Sequence, residues 1–448
     1  MTLASLLTET RRIQYTRNNM SIKVLLFSAI IFLSPTVILV TANSVHAATC
    51  AKENIRWASS SNRIYISGPV VCTLSEIDSL VSQNAILTLE DPTSKIWFLG
   101  SDLILEQGAT INLHGSQVGG DVNWLKLKSN SSGYVEIKAY WGNIDIESTR
   151  ISSWTGSSVD TNYSDGRAFI RAISYLESDG ITLRESRMDI KNSDVGYLGY
   201  YAAESYGLAW KVRGTTPGIY DKVDVYGDIV GNRIHHNYFG VYTFGAYGGQ
   251  WLNNEVDNNV QYGLDPHDDS DDLVIEGNNV HHNGNHGIIC SQRCDHIMIR
   301  NNNSSNNLGN GIMLHRNTND SLVEFNTVND NGDSGIAIFD SHRNTVRDNM
   351  ALRNKNGIRL SVGSSYNLVE NNDFGYNNRY GVYLYKGSDA PTIGDGHPKY
   401  NRFIENEIHH SIDYAIVLKD AAYNSFADNN LYANRKGVYV RGVGNTFD

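Results

Sequence analysis

Residues 311–338 have the sequence GIMLHRNTNDSLVEFNTVNDNGDSGIAI, and this stretch contains one full period of a repeat that decides the fold. The period begins at Gly311 in the segment GNGIMLH and returns to the same position at Gly335 in DSGIAIF, 24 residues later. Between the two glycines a second apolar-polar run, residues 322–325, ends at Asn326. Short runs of this kind between turn residues are typical of β-strands. One period therefore contains two short strands and their turns.

The same period recurs through the C-terminal half of the chain in two ladders. The first consists of Gly240, Gly263, Gly287, Gly311, Gly335, Gly357, Gly381 and Gly437, with Ala415 in one degenerate unit. The second consists of Asn232, Asn254, Asn278, Asn302, Asn326, Asn349, Asn372, Asn406 and Asn429. Leucine-rich repeats have a similar length, but they need a leucine framework that this chain lacks. We therefore predict an all-β fold, a right-handed parallel β-helix with coils of about 22–24 residues.

Three segments follow from this pattern. Residues 1–47 contain basic residues, an apolar run and a small-residue cleavage pattern, which together predict a signal peptide, with a retained membrane anchor as the alternative. Residues 48–230 are β-rich and less regular, and we interpret them as earlier coils of the β-helix, with a separate capping β-domain as the alternative. Residues 231–448 carry the regular repeats. The signal predicts a periplasmic or secreted protein.

The net charge and the cysteine content indicate which partners, disulfides and metal sites to expect. The whole chain has a net charge of −11, and removal of residues 1–47, with four basic residues and one acidic residue, makes it −14. Such acidity argues against nucleic-acid binding. Four cysteines allow three pairings, and the sequence favours Cys50–Cys72 with Cys290–Cys294. A zinc site is disfavoured because no second cysteine pair of matching spacing exists, whereas a calcium ion could bind the acidic run Asp268, Asp269, Asp271 and Asp272.

One strand departs from the repeat by carrying polar groups on its outer side. Side chains alternate along a strand, so Leu264 and Pro266 should face the core while Asp265 and His267 face outward. Because the coil spacing is nearly constant, outward residues of successive coils should form columns. The predicted columns are Phe244, His267, Ser291, His315, Phe339 and Tyr385; Tyr242, Asp265, Ile289, Met313, Arg359 and Tyr383; and Asp268, Gln292, Arg316, Asp340 and Lys386. Aromatic and cationic columns suit a chain of charged sugars.

The segment YGLDPHDDS at residues 262–270 resembles the signature of the mannuronan C-5-epimerases. The resemblance extends through NNEVDNNVQYGLDPHD, HGII at 286–289 and GIMLHRN at 311–317, and AESYGL at 203–208 is similar to the family's upstream region. The periplasmic alginate-biosynthesis enzymes are the branch indicated. The resemblance implies C5 epimerisation of mannuronate within an alginate-type polysaccharide, without a required organic cofactor. Export-complex proteins are possible partners.

The resemblance also implies roles for individual residues. His267 would be the base, Asp265 would orient or polarise it, and Tyr262 or a water would supply the opposite proton. By its column position, Arg316 would neutralise the substrate carboxylate. The remaining residues of the predicted groove would bind substrate: Asp268, Arg293, His315, Tyr242, Arg359 and Lys386.

One departure from the family pattern concerns the arginine expected directly after the serine of the HGII segment. Here Gln292 follows Ser291, and the arginine comes next, at Arg293. Simple alternation puts Arg293 on the wrong face, although a bulge could restore it. Two other functions therefore stay open. A polysaccharide lyase uses the same proton abstraction and expels the 4-linked sugar, and a non-catalytic β-helix would only bind glycan.

Overall fold

The computed structural model describes residues 48–81 and 86–448, and it is a right-handed parallel β-helix, which confirms the predicted fold class. The predicted signal peptide, residues 1–47, lies outside the described residues. Across the described residues no helix is long and apolar enough to span a membrane. Successive coils contribute strands to three long sheets, here numbered 1 to 3, in which a strand pairs in parallel with its counterpart one coil away. The exceptions in the N-terminal part are the antiparallel pairs of Ile55–Ala58 with Arg63–Ser67, Leu87–Asp91 with Ile96–Leu99 and Gly133–Tyr134 with Trp124–Asn130.

Sheet 1 carries the outward columns predicted from the repeat. Its main strands are Ile55–Ala58, Arg63–Ser67, Asp102–Glu106, Glu136–Tyr140, Phe169–Leu176, Gly207–Arg213, Phe239–Phe244, Leu264–Asp265, Ile288–Ser291, Ile312–His315, Ser334–Phe339, Asn356–Ser361, Tyr380–Tyr385, Tyr414–Lys419 and Lys436–Arg441. A short antiparallel strand, Leu183–Arg184, extends one of them.

Sheets 2 and 3 complete each coil. Sheet 2 consists of Ala48–Thr49, Val70–Cys72, Thr110–His114, Asn143–Glu147, Arg187–Lys191, Ile229–Val230, Gln250–Leu252, Val274–Glu276, Met298–Arg300, Leu322–Glu324, Thr345–Arg347, Leu368–Glu370, Arg402–Ile404, Ser425–Ala427 and Thr446–Phe447. Sheet 3 consists of Leu87–Asp91, Ile96–Leu99, Trp124–Asn130, Gly133–Tyr134, Arg150–Trp154, Asp194–Gly196, Arg233–His235, Glu255–Asp257, Asn279–His281 and Asn303–Ser305, and resumes at Asp373–Gly375, Glu407–His409 and Asn430–Tyr432. Strands from residues 48–230 thus occupy the same sheets as the later repeats.

The N-terminal end of the β-helix is closed by a helix, α1 (Leu74–Val81), which buries Leu74 and Ile77 in the core. Thr73 and Glu76 cap α1 reciprocally: Thr73 N donates to Glu76 Oε2 at 2.8 Å and Glu76 N donates to Thr73 Oγ1 at 3.3 Å. The other helical segments are single 3₁₀ turns at Lys52–Asn54, Ser116–Val118 and Ile219–Asp221.

The predicted asparagine ladder is present. From coil to coil the side-chain amide donates to the next ladder asparagine, as from Asn254 Nδ2 to Asn278 Oδ1 at 2.8 Å. The residue before each ladder asparagine is left-handed, for example Asn253 with φ 56° and Phe325 with φ 54°. The ladder asparagines are buried, so their amides satisfy backbone groups that a corner would otherwise leave unpaired.

The glycine ladder has a steric cause. A Cβ added at Gly263 would lie 2.6 Å from the carbonyl oxygen of Gly287 and 2.6 Å from Val280 Cγ1. A Cβ at Gly311 would lie 2.1 Å from Val328 Cγ1. Because these contacts are far inside van der Waals distance, the turn into sheet 1 leaves no room for a side chain.

One of the two predicted disulfides is present. Cys50 and Cys72 form a disulfide, which links neighbouring strands of sheet 2 at the N-terminal end. The predicted Cys290–Cys294 pair is wrong, because both thiols are free and buried. Both belong to the apolar core on either side of the corner that ends strand Ile288–Ser291, and Cys294 Sγ lies 3.5 Å from the carbonyl oxygen of Ser291.

Candidate active site

The candidate site lies on the outer face of sheet 1, at the short strand Leu264–Asp265. Leu264 packs in the core, and Asp265 points to the opposite face beside Tyr242, its partner in the preceding coil. His267 pairs with Ser291 of the following coil through an isolated bridge. The register therefore builds the predicted column of Ser291, His315, Phe339 and Tyr385 below His267. Ser361, which the prediction left out, lies between Phe339 and Tyr385.

Asp265 is almost inaccessible although it faces outward, since only 1% of its surface is exposed. Side chains of neighbouring coils enclose it, and its Oδ1 atom has no hydrogen-bond partner. Burial raises the pKa of Asp265 to about 7, because the nearby positive charge of His267 offsets only part of the lost solvation. A carboxyl group in this state holds its proton near neutral pH and can donate a hydrogen bond.

His267 is held by the acidic residue that follows it. Its Nδ1 lies 2.8 Å from Asp268 Oδ2, an ion-pair contact that lacks the alignment of a hydrogen bond, and 23% of the side chain is exposed. Burial alone would lower the pKa of His267, but the contact with Asp268 and the charge of Asp265 outweigh it, so the pKa is raised. Asp265 was predicted to orient or polarise the imidazole. The carboxylate that contacts the ring is that of Asp268.

Tyr262 precedes the strand, so Tyr262 and His267 flank Asp265 on either side. The Tyr262 ring stacks on His286 with centroids 5.4 Å apart and lies 5.0 Å from Phe239. Burial raises the pKa of the Tyr262 phenol, which therefore stays protonated at working pH. A phenol in this state can serve as a proton donor.

Apolar side chains surround these polar groups on both sides along the helix axis. On the N-terminal side a cluster is formed by Tyr238, Phe239, Tyr242 and Ala209, with Tyr206, Phe244, Val260 and Tyr262 packed against it. On the C-terminal side Ile289, Met313 and Ala337 pack with Tyr262 and Phe339. The His267 ring lies 5.6 Å from Tyr242 and 6.0 Å from Phe244. Aromatic faces of this kind suit the apolar side of a sugar ring.

Two further histidines face the same side and are neutral near pH 7. His315 accepts or donates through Nδ1 to Ser291 Oγ at 2.8 Å, and burial lowers its pKa to about 4. His286 accepts a hydrogen bond from Asn310 N at 2.9 Å, and burial again lowers its pKa to about 4. Our sequence analysis missed His286. Its position before Gly287, equivalent to Tyr262 before Gly263, is the signal that could have identified it.

The predicted cationic residues lie farther along the sheet. Arg316 is next to Phe339 in the second coil after His267, and its Nη2 lies 3.2 Å from Asp389 of the loop inserted around residues 387–399. Arg359 is largely buried, donates to Tyr385 Oη at 3.3 Å and lies 3.8 Å from Asp333.

The last of these cations, Lys386, is exposed beside Gly396 of the same inserted loop. These three cations therefore line the C-terminal half of the face, and the structure does not bring them to the strand Leu264–Asp265.

Asp268 and Arg293 are the predicted substrate-binding residues nearest to His267 in the sequence and the next coil, and they contact each other. Arg293 Nη2 donates to Asp268 Oδ1, and Arg293 Nε donates to Asp269 Oδ2 at 3.0 Å. Simple alternation had placed Arg293 on the wrong face. The strand in fact ends at Ser291, and Gln292 and Arg293 are both left-handed, with φ values of 66° and 58°. This corner directs the guanidinium back to the preceding coil.

The acidic run considered for calcium is distributed over separate contacts. Asp268 and Asp269 bind Arg293, and Asp271 accepts a hydrogen bond from Asp295 N at 2.6 Å. Asp272 lies 3.8 Å from His296. Within residues 48–81 and 86–448, no group of three or more histidine, cysteine, aspartate or glutamate side chains is arranged to hold a metal ion.

Comparison with known proteins supports the β-helix fold. The family model "Right handed beta helix region" matches residues 285–395, and the model "Periplasmic copper-binding protein (NosD)" matches residues 161–323. Mannuronan C5-epimerase AlgG of Azotobacter vinelandii is 26% identical over 231 residues, 51% of this chain and 40% of that protein. The mannuronan C5-epimerase of Pseudomonas aeruginosa is 26% identical over 221 residues, 49% of this chain and 37% of that protein. The aligned regions thus span about two fifths of these curated relatives.

The solved structures agree on the fold. The crystal structure of the periplasmic alginate epimerase AlgG superimposes with a TM-score of 0.67 and 20% identity, covering 84% of this chain and 85% of that one. The predicted resemblance to the mannuronan C-5-epimerases is therefore confirmed. The chain is similar in sequence to mannuronan C5-epimerases and has the same fold as the periplasmic alginate epimerase AlgG.

Proposed function

We propose that this protein inverts C5 of β-D-mannuronate residues within an alginate-type polyuronate, giving α-L-guluronate. The observation that carries the proposal is the group formed by Tyr262, Asp265 and His267 on one outward strand, with a buried carboxyl between a protonated phenol and an oriented imidazole. The sequence likeness to mannuronan C5-epimerases supports the choice of polymer.

In this proposal His267 is the base. Its Nδ1 faces Asp268, so Nε2 is the ring nitrogen that removes the proton from C5. The C5–H bond breaks, the proton moves to Nε2, and the electron pair enters an enediolate shared with the C6 carboxylate. A base whose pKa lies near the working pH suits this step.

The enediolate concentrates negative charge on the substrate carboxylate, and Asp265 is placed to stabilise it. A protonated Asp265 with a free Oδ1 can donate a hydrogen bond without adding a negative charge. Arg316, which we first expected in this role, lies two coils away and contacts Asp389. It and Arg359 then neutralise carboxylates of neighbouring sugar residues.

The new C5–H bond forms on the opposite face of the sugar. Tyr262 comes before Asp265 along the coil and His267 after it. The phenol donates the proton and regains one from solvent, and His267 releases to solvent the proton that it took from C5. A water held by Tyr262 would give the same product. If the 4-linked oxygen left before this second proton arrived, the outcome would be a lyase reaction.

Localisation and partners follow from the same proposal. An anionic polysaccharide is the substrate, and its binding depends on local cations because the chain as a whole is acidic. The predicted signal and the likeness to a periplasmic alginate epimerase support a periplasmic or secreted location. Contacts with export-complex proteins remain a prediction from the resemblance.

The test is to incubate polymannuronate with the purified protein and follow guluronate signals by proton NMR. We expect conversion with the wild type, none with His267→Ala, and normal conversion with His296→Ala, a matched control whose side chain is 63% exposed in the next coil. Unsaturated chain ends instead of guluronate would identify a lyase. Polymer binding without either product would identify a glycan-binding protein.

A further inference from the structure

Behind His267, two charged residues connect it to the next coil of the β-helix. We propose that Arg293 is a positioning residue that holds Asp268 against Nδ1 of His267 and thereby fixes which ring nitrogen is free to act as the base. This inference rests on the proposed function, because His267 acts as a base only if the protein catalyses the proposed epimerisation.

The contacts connect His267 to the next coil through Asp268 and Arg293. Asp268 is only 7% exposed, and its backbone N donates to the carbonyl oxygen of Ser291 at 2.8 Å, so its position is set by the corner. One carboxylate oxygen contacts His267 Nδ1 at 2.8 Å, and the other accepts from Arg293. Both oxygens of Asp268 are therefore used, one on each side.

Arg293 is suited to this task because a guanidinium can bind two acceptors in a fixed fork. Its Nη2 contacts Asp268 and its Nε donates to Asp269 at 3.0 Å. Arg293 therefore binds two successive residues of the preceding coil. With 48% of its side chain exposed, Arg293 is otherwise an ordinary surface arginine.

The charges around His267 explain why Asp268 needs a counter-ion. The titratable and charged groups that face His267 are Asp265, Asp268, Arg293 and His315, with the Tyr242 phenol beside the ring. Asp268 and Asp269 are adjacent carboxylates, and Arg293 is the cation that contacts both. Without it the two would repel each other, and Asp268 would be free to turn away from the imidazole.

Neutral histidine in water prefers the proton on Nε2, whereas an acceptor at Nδ1 favours the Nδ1–H form and leaves the Nε2 lone pair free. The proposal therefore predicts the Nδ1–H tautomer at His267. This is measurable by nitrogen-15 NMR of histidine-labelled protein in the absence of any polysaccharide, with His267→Gln used to assign the signal.

The variants are Arg293→Gln, Arg293→Lys and Asp268→Asn. We expect Arg293→Gln and Asp268→Asn to increase the share of the Nε2–H tautomer, and Arg293→Lys to increase it less than Arg293→Gln, because lysine keeps the charge but loses the fork that binds both carboxylates. The matched control is Arg353→Gln. Arg353 binds Asp330 through two contacts of 2.8 Å at another left-handed corner, with a similar exposed fraction of 51%.

Activity gives the second readout. We expect Arg293→Gln to slow C5 exchange by about 10-fold and Asp268→Asn by about 100-fold, within the usual contribution of an oriented base. An unchanged His267 tautomer in Arg293→Gln would overturn the proposal, as would an equal change in Arg353→Gln. Because the tautomer is measured without substrate, a wild-type protein that failed to epimerise would refute the proposed function and leave this result separate.

Discussion

Asp265→Asn should remove a pH dependence from the stability of the β-helix. Burial raises the pKa of Asp265 to about 7, whereas an unfolded aspartate titrates near about 3.9. Between these values the folded protein keeps a proton that the unfolded chain has released. The free energy of unfolding therefore falls as the pH rises through this window, and the loss is complete above the folded pKa. Asparagine has no proton to release, so the variant lacks this contribution.

The size of the effect follows from the difference between the two pKa values. About three pH units correspond to about 4 kcal/mol at pH 8. The β-helix is one compact unit, Ala47–Asp448, and an unfolding entropy of about 2.1 cal/mol/K per residue gives about 0.8 kcal/mol/K for it. If the unit unfolds cooperatively, the melting temperature of wild type relative to the variant should drop by about 5 °C between pH 4 and pH 8.

Thermal unfolding followed by circular dichroism across this pH range measures the difference. Comparing the two proteins at each pH cancels titrations elsewhere in the chain. Asp428→Asn serves as the control, because Asp428 is an exposed aspartate at a left-handed corner. Parallel pH profiles for wild type and Asp265→Asn would refute the assignment of a raised pKa to Asp265.

Three further predictions concern the coils themselves. Asn302→Ala should destabilise the β-helix by about 2–4 kcal/mol, because its buried amide bonds backbone and side-chain groups of both neighbouring coils and leaves them unpaired when removed. Gly311→Ala should cost about 3 kcal/mol or more, since the new methyl group would lie 2.1 Å from Val328. Cys290 and Cys294 should resist a thiol reagent in the folded protein and react as two thiols after unfolding.

Each of these has a matched control. Asn303→Ala removes the neighbouring exposed asparagine, at the start of the strand Asn303–Ser305, and should change the melting temperature little. Gly437→Ala alters the same repeat position where nothing lies within 4 Å, so it should be tolerated. For the thiols, a folded protein that reacts as readily as the unfolded one, or an unfolded one with no reactive thiol, would contradict the free and buried state.

The fold was predictable because its repeat is nearly constant in length. Once Gly263, Gly287 and Gly311 align, the register of sheet 1 follows, and with it the columns through Asp265 and His267. The same rule would have found His286. Within the strand Leu264–Asp265 the predicted alternation of side chains is correct, since Leu264 lies in the core and Asp265 faces outward.

What the sequence could not predict lies at the corners, where alternation no longer applies. Asp268 and Arg293 adopt left-handed conformations, so their side chains turn toward each other instead of toward the groove. The same corner leaves Cys290 and Cys294 in the core as separate thiols. The burial of Asp265 could not be predicted from alternation along one strand, because it depends on side chains of neighbouring coils such as Tyr242.

Proton transfer by His267 is tested directly by the isotopic content of C5 after reaction in deuterated buffer. Polymannuronate is incubated with wild type and His267→Ala, and the products are compared by NMR and mass spectrometry. We expect guluronate with deuterium at C5 from the wild type and no C5 exchange from the variant. Guluronate that retains its original C5 hydrogen, or equal exchange by both proteins, would contradict proton transfer by His267.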